Sequence, residues 1–224
     1  MSKFPSEKII LKNNMENFKF TNNWFNDTAK SQWDVIIPNV KPKKILEIGS
    51  YEGASTCYLI EKLAQENSIE IHCIDAWSND MGPETDYKLY GSNIDMSAVE
   101  SRFRQNTKFA IEKSPKKVNL TIDKGFSDVQ LSKLLSNGKK NYFDFIYIDG
   151  SHLGPDVLWD AVLSFRLLKV NGVMAFDDYL WPSANKNLTR IPKMAIDSFV
   201  NLYSEKIAIF NAPLYQIYLK KISD

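Results

Sequence analysis

The stretch ILEIGSYEGAST, residues 45–56, reads as the end of a buried strand, a tight turn and the start of a helix. Gly49 and Gly53 let the backbone turn sharply and approach a ligand closely. No Gly-Lys-Ser/Thr follows, so this is not a Walker phosphate loop. Nor is it Gly-x-Gly-x-x-Gly, because Tyr51 stands where the second glycine would be. The distinguishing residue is Glu47, two places before the first glycine. A carboxylate there is a poor neighbour for a pyrophosphate and suits a cationic ligand. Gly49 and Gly53 alone would also serve an ordinary strand-to-helix turn.

Outward from this turn, short apolar strands alternate with amphipathic helices. Strands are predicted over 44–48, 69–74, 118–122, 143–148 and 172–176. Helices are predicted over 54–65, 97–113, 128–135, 155–168 and 192–203, with an earlier one over 26–37 that stops at Pro38. Almost wholly apolar strands between helices imply a parallel sheet covered on both faces. The last two strands, 206–210 and 215–220, are separated by too few residues for a crossover and should form an antiparallel hairpin. The expected fold is therefore α/β, a Rossmann-like doubly wound sheet of seven strands. It is mostly parallel and ends in an antiparallel pair.

The 224 residues suit a single domain, 1–224, with an N-terminal helical extension over 1–40. Lys and Arg number 28 against 27 Asp and Glu, so no basic footprint for nucleic acid or an acidic membrane is present. The chain shows neither a signal-peptide pattern nor an apolar run long enough to span a bilayer. Cys57 and Cys73 lie in core-like segments without motif spacing and read as buried free thiols, which suits the cytoplasm.

Asp75 closes the second strand, where doubly wound folds place an acceptor for ribose hydroxyls. Glu-x-Gly-x-x-x-Gly, an acid ending strand two and a closing hairpin together resemble the class I S-adenosylmethionine (SAM)-dependent methyltransferases. The resemblance runs from about Ile45 to the end of the chain. It implies a cofactor with a sulfonium and an ammonium group, which accounts for the acid and for the missing phosphate cradle. By that resemblance Glu47, Gly49, Ser50, Gly53 and Ser55 line the methionine part, and Asp75 holds the ribose. Trp77 and the turn Gly125-Phe126-Ser127 flank the adenine.

Strand four ends in FIYIDGSH (145–152) and strand five in AFDDYLW (175–181). Two adjacent carboxylates after an apolar run ask for a cap, for water or for a cation. The phrases IDGSH and LLKVNGVMAFDDY look like those of the metal-dependent small-molecule O-methyltransferases, which act on catechols, caffeoyl esters and sugars. That resemblance makes strands four and five neighbours, ~4.8 Å apart, so that Asp149, Asp177 and Asp178 converge on Mg2+ or another divalent cation. In the catechol and caffeoyl enzymes the last ligand is usually asparagine; Asp178 follows the sugar-modifying branch. His152, three residues after Asp149, takes the place of that branch's general base, and Asp160, two turns on, is a candidate to orient it.

Segments 78–116 and 179–191 are the expected substrate or lid segments. They bring Asp86, Tyr87 and Tyr90, and Tyr179, Trp181, Asn185 and Arg190, towards a small-molecule acceptor. The N-terminal Phe20, Trp24 and Phe25 have the apolar content to cover a cofactor or to pack against a second copy in a homodimer. Function is thus expected to be methyl transfer from SAM to a hydroxyl of a sugar or other small molecule. Two alternatives stay open: a metal-free enzyme whose acids bind the acceptor, perhaps an amine, and a cofactor-binding protein without transfer activity.

Overall fold

A computed structural model describes residues 18–78, 94–181, 187–213 and 215–224. The elements are α1 (Trp24–Thr28), α2 (Lys30–Val40), β1 (Lys44–Ile48), α3 (Ala54–Leu63), β2 (Ile69–Asp75), α4 (Met96–Glu112) and β3 (Val118–Lys124). There follow α5 (Ser127–Ser136), β4 (Phe143–Ile148), α6 (Gly154–Leu167), β5 (Leu168–Phe176), α7 (Pro192–Leu202), β6 (Ile207–Ile209) and β7 (Ile217–Lys221). Seven strands form one sheet in the order β3-β2-β1-β4-β5-β7-β6. The first five are parallel, and β7 runs antiparallel to β5 and β6. This is the doubly wound, mostly parallel sheet with a closing antiparallel pair that the sequence implies.

Alternation along each strand sends side chains to two cores. From β1, Ile45 joins Trp33, Tyr58, Phe103 and Tyr147 on one face. Leu46 and Ile48 join Leu131, Ala161 and Phe199 on the other. Glu47 points to the first face, and its register partner on β4 is Tyr147. Strand order reverses between β2 and β4 on either side of β1, which places the ligand crevice at the carboxyl ends of β1 and β4.

At that crevice the first turn presses against the loop after β4. A Cβ on Gly49 would lie 1.9 Å from the Asp149 carbonyl oxygen and 2.8 Å from the Gly150 Cα. Gly49 also has φ +83, a left-handed conformation that side chains disfavour. A strap over residues 18–24 crosses the same turn. Thr21 donates its N–H and hydroxyl to the buried Glu52, which also accepts from Arg102 on α4. Trp24 rests against the Tyr51 ring, centroids 5.1 Å apart. Part of the expected N-terminal extension thus packs against the turn.

Several boundaries differ from expectation, three of them for identifiable reasons. The helix predicted over 26–37 is two helices, and α2 runs through Pro38 to Val40. Pro38 stands in the last turn and cannot donate to the Asp34 carbonyl four residues back, yet the helix runs only two residues further before Lys41 in a left-handed conformation (φ 47) ends it. β5 begins at Leu168 rather than 172, because Phe143 faces Leu168 and Phe145 faces Val173, leaving extra residues on β5 with Asn171 at φ 72. β6 is only three residues long, since Ser204–Lys206 forms a 3-10 turn. Residues 79–93 and 182–186 lie outside the described residues, so Asp86, Tyr87, Tyr90 and Asn185 carry no structural account.

Gly49→Ala adds both overpacking and backbone strain, which together are expected to cost about 2–5 kcal/mol of unfolding free energy. Urea denaturation followed by circular dichroism checks this. A loss below about 1 kcal/mol would mean that the turn can move off the β4 loop.

Candidate active site

Glu47 is fully buried, and its oxygens are surrounded by its own turn and helix. They accept from the hydroxyls of Ser50 (2.7 Å), Ser55 and Thr56, and the Cys73 thiol lies at 3.5 Å. With those hydroxyl protons directed inward, the Ser50 and Ser55 oxygens keep lone pairs that can accept from a ligand. Burial and the Glu47 charge push the Cys73 thiol well up, so it stays a neutral packing residue.

Asp75 ties three turns together. One carboxylate oxygen accepts from the N–H groups of Ser50 (2.9 Å) and Tyr51 (2.8 Å), and the other from Trp77 N–H at 2.8 Å. Its backbone carbonyl accepts from Gly125 N–H at 2.9 Å. Burial raises the Asp75 pKa, against the lowering effect of those three N–H groups. Tyr51 (φ 47) and Trp77 (φ 40) both hold left-handed conformations here, and the Trp77 indole N–H donates to the Tyr51 carbonyl at 2.9 Å. Such strain persists where surroundings over-determine it, commonly at binding sites. The Trp77 ring is buried against Phe103. Phe126, 46% exposed, caps α5, and Ser127 is its first residue.

The second half of the site lies at the tips of β4 and β5. The Tyr147 hydroxyl sits between two acids, 3.1 Å from Asp149 Oδ2 and in close contact with Asp177 Oδ2. Asp177 Oδ2 also accepts from Gln216 Nε2 at 2.9 Å. Asp178, at φ 56, turns the other way. Its Oδ2 lies 2.8 Å from His152 Nε2, and its Oδ1 accepts from the Tyr215 hydroxyl at 3.0 Å. Trp181 stacks on the His152 ring, centroids 4.1 Å apart. Burial, then the charges of Asp177 and Asp178, push the Asp149 carboxyl well above its ordinary value. Burial and Asp178 push Asp177 up to about 6.

The donor set suits a hard divalent cation in kind, being all carboxylate oxygens carrying excess negative charge. Among the described residues, the three acids make one ion pair, that of Asp178 with His152. In this arrangement the acids face Tyr147, Gln216, Tyr215 and His152, and among the described residues no three acidic, histidine or cysteine side chains are grouped to hold a metal ion.

Asp160 does not reach His152's Nε2, which is taken by Asp178. It lies at the buried face of α6, 1% exposed, with both oxygens unpartnered. Burial raises its pKa to about 7. Tyr179 turns from the acids to α7, donating to Asp197 at 2.8 Å and accepting from Lys193. Arg190 closes a 3-10 turn ahead of α7. Sequence reasoning missed Tyr147, Tyr215 and Gln216. Tyr147 had a visible signal, since period two puts it on the same face of β4 as Asp149.

A family model described as a methyltransferase domain matches residues 46–179. Two proteins of Dictyostelium discoideum are similar in sequence. A probable caffeoyl-CoA O-methyltransferase 3 is 24% identical over 177 residues, covering 78% of this chain and 59% of that protein. A probable caffeoyl-CoA O-methyltransferase 1 is 25% identical over 150 residues, covering 67% and 54%. The chain thus spans less than two thirds of the length of either. In fold it resembles an O-methyltransferase from Bacillus cereus solved in complex with SAH (TM-score 0.59, 17% identity, 87% of this chain and 83% of that one). It also resembles TomG from Streptomyces achromogenes, solved with SAM (TM-score 0.61, 14% identity, 87% and 79%).

The buried carboxyl of Asp160 should contribute to the dependence of stability on pH. Below about pH 4 it is neutral in both the folded and the unfolded chain. Between pH 4 and 7 only the folded form keeps the proton, so rising pH favours unfolding; above 7 the penalty is constant. Asp160→Asn should therefore gain stability over the wild type as pH rises from 4 to 7, by up to about 4 kcal/mol, and level off above it. Urea titrations at pH 4.5, 6 and 7.5 check this, and a pH-independent difference would refute it.

Proposed function

Because the chain belongs to the methyltransferase-domain family whose model spans residues 46–179, we propose that it transfers a methyl group from SAM to a hydroxyl of a small molecule, such as a sugar, at the tips of β4 and β5. The supporting observation is the contact of Gly49 with the Asp149 carbonyl. It makes the donor turn and the acid-rich edge two walls of one crevice. The similarity to caffeoyl-CoA O-methyltransferases, and to structures solved with SAM or SAH, favours the same cofactor and an oxygen acceptor.

The Ser50 and Ser55 oxygens, with their protons engaged by Glu47, accept from the ammonium of the methionine part. Asp75 spends three acceptor positions on backbone N–H groups and keeps capacity for a ribose hydroxyl. Phe126 and Ser127 border the adenine side. The acceptor oxygen attacks the methyl carbon in line with the breaking carbon–sulfur bond, SAH leaves, and the acceptor's proton goes to His152. His152 is held through Nε2 against Asp178 at 2.8 Å, which keeps its imidazole beside the acids to take that proton. Asp149, Asp177 and Asp178 would hold a divalent cation, which lowers the pKa of a coordinated hydroxyl. Trp181, beside His152, bounds the acceptor's space.

A metal-free second reading has its own support: the acids are not grouped around one point, and His152 is already paired with Asp178. A cytoplasmic location is part of this proposal, in keeping with two buried free cysteines. Among the described residues no helix is long and apolar enough to cross a membrane.

Calorimetric titration should show SAM binding that Asp75→Ala weakens at least tenfold; an absence of binding by the wild type would end the methyltransferase proposal. With an acceptor found by screening hydroxylated sugars and phenols, His152→Ala should lower kcat by about 10²–10⁴ while leaving SAM affinity within twofold. EDTA should abolish turnover and Mg2+ restore it. Turnover indifferent to EDTA would select the metal-free reading.

A further inference from the structure

The two acids after β5 are met residue for residue by two donors ahead of β7. In the antiparallel pairing, Val173 faces Lys220 and Phe176 faces Ile217. Carried one and two steps further, that register sets Asp177 against Gln216 and Asp178 against Tyr215. The contacts follow it: Gln216 Nε2 donates to Asp177 Oδ2 at 2.9 Å, and the Tyr215 hydroxyl donates to Asp178 Oδ1 at 3.0 Å. The Tyr179 N–H bonds to the Tyr215 carbonyl at 3.0 Å, so the two chains stay coupled past the strand ends.

Resting on the methyl-transfer proposal, we infer that Tyr215 and Gln216 are positioning residues that set the direction of the acid pair. Tyr215 aims Asp178 at His152, and Gln216 holds Asp177 towards Tyr147 and Asp149. Asp178 has two oxygens and two partners, Tyr215 on one and His152 on the other. With the phenol in place, the carboxylate plane is defined and the second oxygen meets the imidazole. Without it, the carboxylate is free to rotate about its side-chain bonds, and the imidazole loses a fixed acceptor. Gln216 is 2% exposed and is itself held by the Tyr218 hydroxyl, which is fully buried. The amide is planar, so the Tyr218 hydroxyl on its oxygen also fixes where its N–H2 points. Partners of this outer kind typically change activity by about 10–100-fold when removed.

The chain has two histidines, His152 and His72. His72 lies on β2 between Glu70 and Asp123 and serves as an internal reference. In 15N–1H correlation spectra of the imidazole rings, Tyr215→Phe should shift the His152 ring signals and leave those of His72 in place. Unchanged His152 signals, or equal movement of both rings, would overturn the proposal. The spectra need neither cofactor nor acceptor, so they decide the point even if no acceptor is ever methylated, an outcome that would count against the proposed function alone. Where turnover is measurable, Tyr215→Phe and Gln216→Leu should each lower kcat by about 10–100-fold with SAM affinity unchanged. Gln216→Leu should also lower the melting temperature, because it leaves Asp177 and Tyr218 without a buried partner. An unaltered kcat in both would equally refute a positioning role.

Discussion

The site depends on a contact made by backbone alone. Gly49 lies so close to the loop after β4 that a single added carbon would overlap the Asp149 carbonyl. Parallel strands β1 and β4 bring their carboxyl ends to the same level, but side chains on the first turn would ordinarily hold the two loops apart. Removing one Cβ lets them close. Glu47 and Tyr147 are then register partners on one face, and Asp149 follows two residues after Tyr147. A carboxylate that organises the first turn thus stands beside the phenol that bridges two acids at the tips of β4 and β5. Any rearrangement of the turn would move both halves together.

The turn is held from several sides, in keeping with its strain. Tyr51 and Trp77 occupy left-handed backbone conformations, each of order 1–3 kcal/mol in cost. Asp75 takes the N–H groups on both sides of that strain, Trp77 takes the Tyr51 carbonyl, and Glu52 fastens the strap and Arg102 from the outer side. Thr21 and Arg102 come from opposite ends of the sequence around the turn. The crevice is therefore shaped before any ligand enters, which reduces the ordering that binding must impose.

The sheet was legible in the sequence because its strands are apolar throughout and its helices amphipathic, and these patterns survive any detail of packing. Glu47, Asp75, Asp149 and the acid pair were visible as charged residues at strand ends, where they stand out against apolar runs. What stayed hidden depends on pairing. Tyr215 and Gln216 look like ordinary strand residues until the β5–β7 register sets them opposite Asp178 and Asp177. The start of β5 was misplaced because Lys169 to Gly172 looks like a turn, and only the out-of-register pairing with β4 reveals it as strand. α2 outruns Pro38 by two residues because the lost bond to the Asp34 carbonyl weakens the helix end without stopping it; the left-handed Lys41 does that. Asp160 looked like a partner for His152 at helical spacing, yet its side of α6 faces the core.

Acids elsewhere in the molecule show what the acid-rich edge avoids. Asp34 accepts from Lys30 and, with Tyr58 and Lys62 beside it, is drawn down to about 2. Glu100 is held by Lys124 and Arg104 and is likewise lowered. Those carboxylates are oriented and neutralised by the same partners. At the tips of β4 and β5 the partners of Asp149 and Asp177 are a phenol and an amide, which orient a carboxylate without adding positive charge. The pKa values rise there instead of falling. Neutral donors fix geometry without opposing the charge of a carboxylate, so burial and the neighbouring acids decide the direction of the shift. Lysine or arginine in place of Gln216 would also bond Asp177, but its positive charge would draw the Asp177 pKa down as Lys30 draws down that of Asp34.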